Sequence, residues 1–139
     1  MTNAKLTAAQ KKRVSSALAE VPYARLLGIT LKQIEPGIAT LEMPVRKQLT
    51  QNHGVVHGGA MASLIDSATA FAIISLLEGD EKVTTVDLTI SYLRPVTRGK
   101  LRCTAKVVRA GRRLIAVSAD VFDDSQKLVS TALSTYIKI

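Results

Sequence analysis

The sequence predicts an α+β fold in which one antiparallel sheet wraps around one long helix. The predicted elements run helix, two strands, one long helix and four strands. Parallel βαβ folds need a helix at every crossover between strands, and the predicted order has only one helix between strands. The length of 139 residues matches one domain, and a hydrophobic content of 47% supports a packed core. We therefore expect one domain over residues 1–139, in which residues 1–21 form an N-terminal helical extension.

The first helix is predicted between Thr7 and Glu20. Thr7 is followed three residues later by Gln10, which is the capping-box pattern of a helix start. Pro22 is expected to end this helix or to begin a further turn.

A hairpin is predicted next. An extended stretch opens at Gly28 and reaches the turn signal Glu35-Pro36-Gly37. Apolar and polar residues then alternate from Ile38 to Val45, which is typical of a strand. The polar, glycine-rich stretch 46–59 is predicted to be a loop, and loops on a rigid scaffold often have functional roles.

The long helix is predicted from Gly58 to about Glu78, where Gly79-Asp80 ends it. Its apolar run, Ala60 to Leu77, contains Asp66, so a buried core helix is favoured over a membrane span. A bulky stripe is expected to face the sheet: Met61, Leu64, Ile65, Ala68, Phe71 and Ala72. A mostly small stripe leaves room for a ligand or another backbone: Gly59, Ala62, Ser63, Asp66, Ala70 and Ile73.

Four further strands follow, separated by turn signals. Their predicted ranges are Lys82 to Arg94, Lys100 to Arg109, Leu114 to Phe122 and Leu128 to Lys138.

Net charge and cysteine content limit the classes of binding partner and the cellular compartment that the sequence supports. The net charge of +8 indicates an anionic partner such as nucleic acid, a membrane surface or a phosphorylated small molecule. An aromatic content of 4% argues against a base-stacking surface for single-stranded nucleic acid. The single cysteine, Cys103, rules out a disulfide within the chain and therefore favours a cytoplasmic location. We expect Cys103 to be a buried structural thiol. The amino terminus has no apolar segment typical of a signal peptide.

The strongest chemical pattern is His57-Gly58-Gly59 at the start of the long helix. The first N–H groups of a helix have no intrahelical partner, and the helix dipole adds positive potential there. Glycine also lets a ligand approach the backbone closely. The pattern therefore indicates an anion site or an oxyanion hole. A histidine at this position more often fixes the loop by hydrogen bonding than reacts.

Asp66 is two turns further along the same helix, about 11 Å from Gly59 at 1.5 Å per residue. One subunit cannot easily bring Asp66 onto a carbonyl held at its own Gly58, whereas two antiparallel copies of the helix can. This spacing predicts a site shared across a dimer interface. A buried aspartate can also cap another segment or pair with an arginine, and that alternative stays open.

His57-Gly58-Gly59, with Asp66 nine residues after the histidine, resembles the signature of the PaaI-like hotdog thioesterases. Three further segments resemble the entry into the first strand, the central strand and a later hairpin turn of that family: Pro22 to Gly28, Asp87 to Pro95 (DLTISYLRP), and Ala110-Gly111-Arg112. The resemblance covers roughly residues 20–139. It implies a hotdog fold and hydrolysis of an acyl-CoA thioester to free acid and CoA.

The resemblance also implies catalytic roles for individual residues. Asp66 matches the carboxylate that acts as general base or nucleophile, and Gly58 matches the residue whose N–H holds the thioester oxygen. Thr85 matches the position of a hydroxyl that positions the attacking water, although a regular strand would place Thr85 on the face of Asp87. The implied catalytic set is Asp66, Gly58, Thr85, Gln51, Asn52 and His57, where Gln51 stands in place of a frequent asparagine.

Substrate contacts are expected at Gly59 and, for the CoA phosphates, at Arg112 and Arg113. No cofactor is implied. No metal is expected either, since His53 and His57 with a remote aspartate make a poor zinc set. The implied assembly is a homodimer or a homotetramer, with no nucleic-acid or membrane partner.

Other functions remain open. One is a hotdog enoyl-CoA hydratase or dehydratase, which acts on carbon through a histidine and a carboxylate. Another is a non-catalytic acyl-CoA binding protein or sensor. A basic nucleic-acid binder would show binding that falls steeply with salt.

Overall fold

The computed structural model describes residues 4–139 and confirms the predicted fold class. Its helices are α1 (Ala8–Ala19), α2 (Pro22–Leu27) and α3 (Gly58–Ile74), with a short 3₁₀ turn at Lys47–Leu49. The strands are β1 (Thr30–Glu35), β2 (Ile38–Pro44), β3 (Val83–Tyr92), β4 (Lys100–Ala110), β5 (Leu114–Phe122) and β6 (Leu128–Lys138). They form one six-stranded sheet in the order β1-β2-β4-β5-β6-β3, with every neighbouring pair antiparallel.

Helix α1 begins at the predicted capping box. The Thr7 Oγ1 accepts a hydrogen bond from the Gln10 N–H (3.1 Å), and the Thr7 N–H donates to the Gln10 Oε1 (2.7 Å). Val14 and Leu18 are buried in the same core as α3 and the sheet, so α1 packs onto the main body. The first three residues of the predicted extension lie outside the described residues.

Helix α2 shows that Pro22 begins a further turn. Pro22 occupies the first helical turn, where its missing N–H has no helical partner to lose. Gly28 ends α2 in the left-handed conformation (φ 75°), which glycine adopts without strain. The extended chain then continues into β1 at Thr30.

Helix α3 packs its bulky stripe against β2, β4 and β5. All six predicted core residues of this stripe are buried. Ile73, the last residue of the predicted small stripe, is fully buried. The C-terminal end of α3 is covered on more sides, because Val14 and Ala17 of α1 lie beside Ile74 and Leu77.

Helix α3 ends at Ile74, four residues before the predicted Glu78. The Ser75 Oγ donates to the Ala72 carbonyl (2.7 Å) and accepts from the Gly37 N–H (2.7 Å). The next backbone bonds span three residues, from the Leu76 N–H to the Ile73 carbonyl (2.8 Å), which tightens the chain and ends the α-helix. Among residues 4–139, no helix is long and apolar enough to cross a membrane.

Strands β5 and β6 have the predicted ranges at both ends, whereas β3 is shorter than predicted and is irregular. Thr85 pairs with Tyr136 and Asp87 pairs with Thr135, so Val86 is an extra residue in β3. Such a β-bulge shifts the alternation of side chains on one side of it. On β4, Cys103 is fully buried, as expected for a structural thiol.

Candidate active site

The Asp66 carboxylate is held by two hydroxyl groups of the sheet. Its Oδ1 accepts hydrogen bonds from the Thr85 Oγ1 (3.1 Å) and from the Tyr136 hydroxyl (3.1 Å). Thr85 and Tyr136 face each other directly on β3 and β6. No hydrogen bond from residues 4–139 reaches the second carboxylate oxygen, Oδ2. Asp66 is half-buried, so this oxygen is available at the edge of the core.

The bulge at Val86 is what turns Thr85 toward Asp66. Strict alternation would place Thr85 on the same face as Asp87, and that expectation is wrong. Paired residues of an antiparallel ladder point to the same face, and Tyr136 points into the core. Thr85 therefore shares the inner face of the sheet with Leu88, three residues further along β3.

A buried network supports the Tyr136 hydroxyl. It donates toward the Asp66 backbone carbonyl (2.9 Å) and Oδ1, and the Thr69 Oγ1 lies 2.8 Å away. The Thr69 hydroxyl itself donates to the Asp66 carbonyl (3.0 Å). Burial of the phenol raises the pKa of Tyr136 to about 12. Tyr136 is therefore a proton donor, and not an anion, at neutral pH.

The start of α3 exposes one backbone donor. His57 is the N-cap, and its Nδ1 accepts from the Gly59 N–H (2.8 Å), so this histidine fixes the helix start. The Gly59 N–H is thereby already engaged. The Gly58 N–H has no acceptor within the described part of the chain. The Tyr92 hydroxyl donates to the Gly58 carbonyl (2.8 Å), which places the Tyr92 ring beside the helix start.

Gln51 and Asn52 lie in the exposed loop before α3. The Gln51 Oε1 accepts from the His53 N–H (2.7 Å), and the Gln51 N–H donates to the Val55 carbonyl (2.8 Å), so Gln51 organises its own turn. The structure does not bring Gln51 or Asn52 into hydrogen-bond contact with Asp66.

Arg112 and Arg113 are exposed in the turn between β4 and β5. Ile115 pairs with Tyr136, and the Arg113 carbonyl accepts from the Lys138 N–H (2.8 Å). This turn therefore lies at the same end of the sheet as the row containing Thr85 and Tyr136. Neither arginine forms a hydrogen bond with Asp66, and the roles of both stay predictions.

Asp66 borders a cavity of about 320 Å³. Such a volume is in the range of small-molecule pockets. Its lining residues are Tyr23, Ala62, Ser63, Asp66, Ser67, Thr85 and Leu88. The Tyr23 hydroxyl lies 2.8 Å from the Ser63 Oγ, which donates to the Gly59 carbonyl (2.8 Å). The predicted small stripe of α3 thus lines a cavity together with α2 and β3.

Other reactive groups lie outside this cavity. Burial raises the pKa of the Cys103 thiol, so the thiolate nucleophile is disfavoured. The described residues contain no group of three or more His, Cys, Asp or Glu side chains able to hold a metal ion.

Sequence reasoning missed Tyr136, Thr69, Tyr92 and Tyr23. A signal for Tyr136 existed, since the inner-face positions before it on β6 hold only small residues: Ser130, Ala132 and Ser134. A large side chain at the end of such a row indicates a contact with the element that packs on this face, which here is α3. The other three depend on tertiary placement that sequence spacing does not report.

Comparison with known proteins gives a consistent family. The profile of the Thioesterase superfamily matches residues 53–130. Acyl-coenzyme A thioesterase 13 of Pongo abelii is 35% identical over 101 residues, which cover 71% of this chain and 71% of that protein. The medium/long-chain acyl-CoA thioesterase YigI of Escherichia coli (strain K12) is 26% identical, over 84% of this chain and 85% of that protein.

A solved structure agrees with these matches. The PaaI protein of E. coli, from the phenylacetic acid degradation operon, superposes with a TM-score of 0.86 and 27% identity. The match covers 94% of this chain and 94% of that one. The likeness therefore includes both the sheet and the helix that bears Asp66.

Proposed function

This chain belongs to the thioesterase superfamily as a PaaI-like hotdog thioester hydrolase, and we propose that it cleaves acyl-CoA with Asp66 as the catalytic carboxylate. One observation carries the assignment of Asp66. Its Oδ1 is held by Thr85 and Tyr136 beside a cavity, while Oδ2 has no hydrogen-bond partner among residues 4–139. A carboxylate fixed through one oxygen presents the other to substrate or water.

The proposed reaction is attack on the thioester carbonyl carbon. As a general base, the Asp66 Oδ2 takes a proton from water while the water oxygen bonds to the carbonyl carbon. The C–S bond then breaks, CoA leaves as the thiolate, and the proton on Asp66 can pass to it. As a nucleophile, Asp66 would instead form an anhydride that water hydrolyses. Thr85 would position the water in either case.

Gly58 is the proposed oxyanion donor. Its N–H has no acceptor among the described residues, and it lies at the positive end of the α3 dipole. Asp66 lies eight positions after Gly58 on the same helix, about 12 Å at 1.5 Å per residue. We therefore assign the oxyanion donor to a second subunit. His57 holds the helix start in this proposal, and Gly59 gives the thioester room to approach.

Strand β3 supports the proposed subunit interface. It is the last strand of the sheet and pairs, among the described residues, only with β6. It also exposes apolar side chains, with Val86 56% and Tyr92 52% exposed. Unpaired strand edges and exposed apolar patches are typical of interaction surfaces. We propose that the protein is a cytoplasmic homodimer or homotetramer in which strand β3 of each subunit lies at a subunit contact.

Arg112 and Arg113 are proposed to contact the CoA phosphates. Their turn lies at the Thr85 end of the sheet, and the chain has a net charge of +8. Gln51 and Asn52 remain candidate contacts to the thioester group from the exposed loop.

The test is thiol release from a panel of acyl-CoAs, from acetyl to palmitoyl, with benzoyl and phenylacetyl. The matched variants are Asp66→Asn and, as control, Asp80→Asn, an exposed aspartate in the turn between α3 and β3. We expect hydrolysis that Asp66→Asn abolishes and Asp80→Asn retains. Hydration of an enoyl-CoA without thiol release would favour a hydratase, and tight binding without turnover would favour a sensor.

A further inference from the structure

The Tyr136 hydroxyl contacts the Asp66 carboxylate from beneath, on the side of the sheet. We propose that Tyr136 is a positioning residue that fixes the plane of the Asp66 carboxylate and thereby directs Oδ2 at the thioester. This proposal rests on the proposed function of Asp66. It gives β6, the neighbour of the edge strand β3, a role in aligning the catalytic carboxylate.

The contact geometry joins Tyr136 to two atoms of Asp66. The hydroxyl lies 2.9 Å from the Asp66 backbone carbonyl oxygen and 3.1 Å from Oδ1. The backbone contact ties the phenol to the helix, and the Oδ1 contact ties the side chain to the phenol. A helix position and a side-chain torsion are therefore fixed by one group.

The position of Tyr136 itself is rigid. Its side chain is 2% exposed and belongs to the core. Its backbone pairs on both sides, with Thr85 of β3 and Ile115 of β5. The Thr69 hydroxyl, 2.8 Å from the phenol oxygen, has one proton, which reaches either that oxygen or the Asp66 carbonyl. The hydroxyl consequently has little freedom to move away from Asp66.

An aspartate carboxylate needs such support. Its last torsion, χ2, has a broad energy profile, so an unrestrained carboxylate rotates widely. Thr85 alone donates one hydrogen bond to Oδ1, which permits rotation about that bond. A second donor at Oδ1 restricts the plane, and catalysis depends on alignment within a fraction of an ångström.

The two hydroxyls also give the two oxygens of the Asp66 carboxylate different roles. Both Thr85 and Tyr136 donate to Oδ1, so the lone pairs of Oδ1 already accept hydrogen bonds. Oδ2 is therefore the better proton acceptor. Tyr136 keeps its proton through the whole physiological range, since its pKa is about 12. Tyr136 does not touch the thioester in this proposal and transfers no proton to it.

The test is steady-state kinetics of Tyr136→Phe, which removes only the hydroxyl. We expect kcat to fall about 10- to 100-fold with KM within about twofold, since binding is retained and alignment is lost. The matched control is Ser134→Ala, which removes another buried hydroxyl of β6 that donates to the Asp87 carbonyl instead of to Asp66. It should retain wild-type kcat.

Two further variants separate positioning from a structural role. Thr69→Val combined with Tyr136→Phe removes both hydroxyls of the buried pair, and loss of both partners is better tolerated in folding than loss of one. This double variant should show the same kcat loss as Tyr136→Phe. Combining Tyr136→Phe with Thr85→Val should cost less than the product of the separate losses, because both act through Oδ1.

The outcomes distinguish this proposal from the proposed function. If Asp66→Asn is inactive while Tyr136→Phe keeps wild-type kcat, the role of Tyr136 is refuted and that of Asp66 stands. Equal losses in Tyr136→Phe and Ser134→Ala, or strictly additive losses with Thr85→Val, would reduce Tyr136 to a packing residue. If the wild-type protein hydrolyses no acyl-CoA, both proposals fall together.

Discussion

Gly58 illustrates how single residues define the candidate site. A Cβ added at this position would lie 3.3 Å from the Tyr92 Cζ, so glycine lets the Tyr92 ring pack against the helix start. The Gly58 N–H remains unbonded within residues 4–139, while the Gly59 N–H is taken by His57. The two glycines of one motif therefore have different roles.

Replacement of Gly58 by proline tests the oxyanion donor. Proline at the first helical position fits the helix and removes the N–H, and the extended conformation of His57 (φ −62°, ψ 134°) is compatible with a following proline. Gly58→Pro should lower kcat about 10²- to 10³-fold relative to Gly58→Ala. The alanine variant keeps the N–H and has the same Cβ contact with Tyr92. Equal kcat values in these two variants would show that the Gly58 N–H is not the oxyanion donor.

The raised pKa of Tyr136 predicts a loss of stability at alkaline pH. Its folded pKa of about 12 exceeds the ordinary value of 10.0, so the folded state favours the protonated phenol. That contribution is complete below pH 10 and is lost as pH rises through about 12, for a total of about 1–3 kcal/mol. Denaturant unfolding at about pH 9 and pH 11 should show a smaller drop for Tyr136→Phe than for wild type. Tyr23→Phe, which alters a 55% exposed ring, should behave as wild type.

The sequence was most informative for residues whose chemistry is local. Asp66 and the His57-Gly58-Gly59 pattern stood out because a charge in an apolar helix and a glycine pair at a helix start are visible along the chain. Tyr136 was missed because its role depends on a contact made 70 residues away. Thr85 was singled out through the family resemblance, and its orientation could not be predicted without the bulge at Val86.

At the scale of elements, boundaries were predictable where a local signal marks them. The capping box of α1 and the turns around β5 gave accurate ends. The end of α3 was misjudged because Ser75 bonds the Gly37 N–H, a contact between segments far apart in sequence. The bulge in β3 has the same cause, since it reflects pairing with β6.

The Ser75–Gly37 contact predicts a measurable stability effect. Ser75→Ala leaves the Gly37 N–H without this acceptor, in a part-buried position. We expect the free energy of unfolding to fall by about 1–3 kcal/mol. Ser16→Ala, at an exposed position of α1, is the control and should leave it within about 0.5 kcal/mol of wild type. Equal stability of the two variants would mean that the contact contributes nothing.

At the scale of the whole molecule, the helix lies off centre. Helix α3 packs mainly on β2, β4 and β5, while β3 at the sheet edge keeps exposed apolar side chains near Asp66. The sequence predicted a shared site from helix spacing alone. It could not predict that β3 would be an edge strand, because strand order is a property of the folded sheet.

Two valines provide a matched test of that edge. Val86 and Val108 are both extra residues at bulges, 56% and 63% exposed, but Val86 is on the edge strand β3 and Val108 is on the interior strand β4. Val86→Lys should shift the protein to smaller species in light scattering and lower its activity in parallel. Val108→Lys should change neither. An unchanged assembly in Val86→Lys would contradict an interface at β3.

Subunit mixing tests the central claim, that Asp66 of one subunit and Gly58 of another form one thioesterase site. Asp66→Asn and Gly58→Pro subunits are each expected to be nearly inactive alone. After unfolding and refolding together in equal amounts, half of the dimers are mixed, and each mixed dimer regains one intact site. Thiol release should therefore recover to about one quarter of the wild-type rate, as expected for a symmetric dimer. A mixture as inactive as its components would place both groups in one subunit and contradict the shared site.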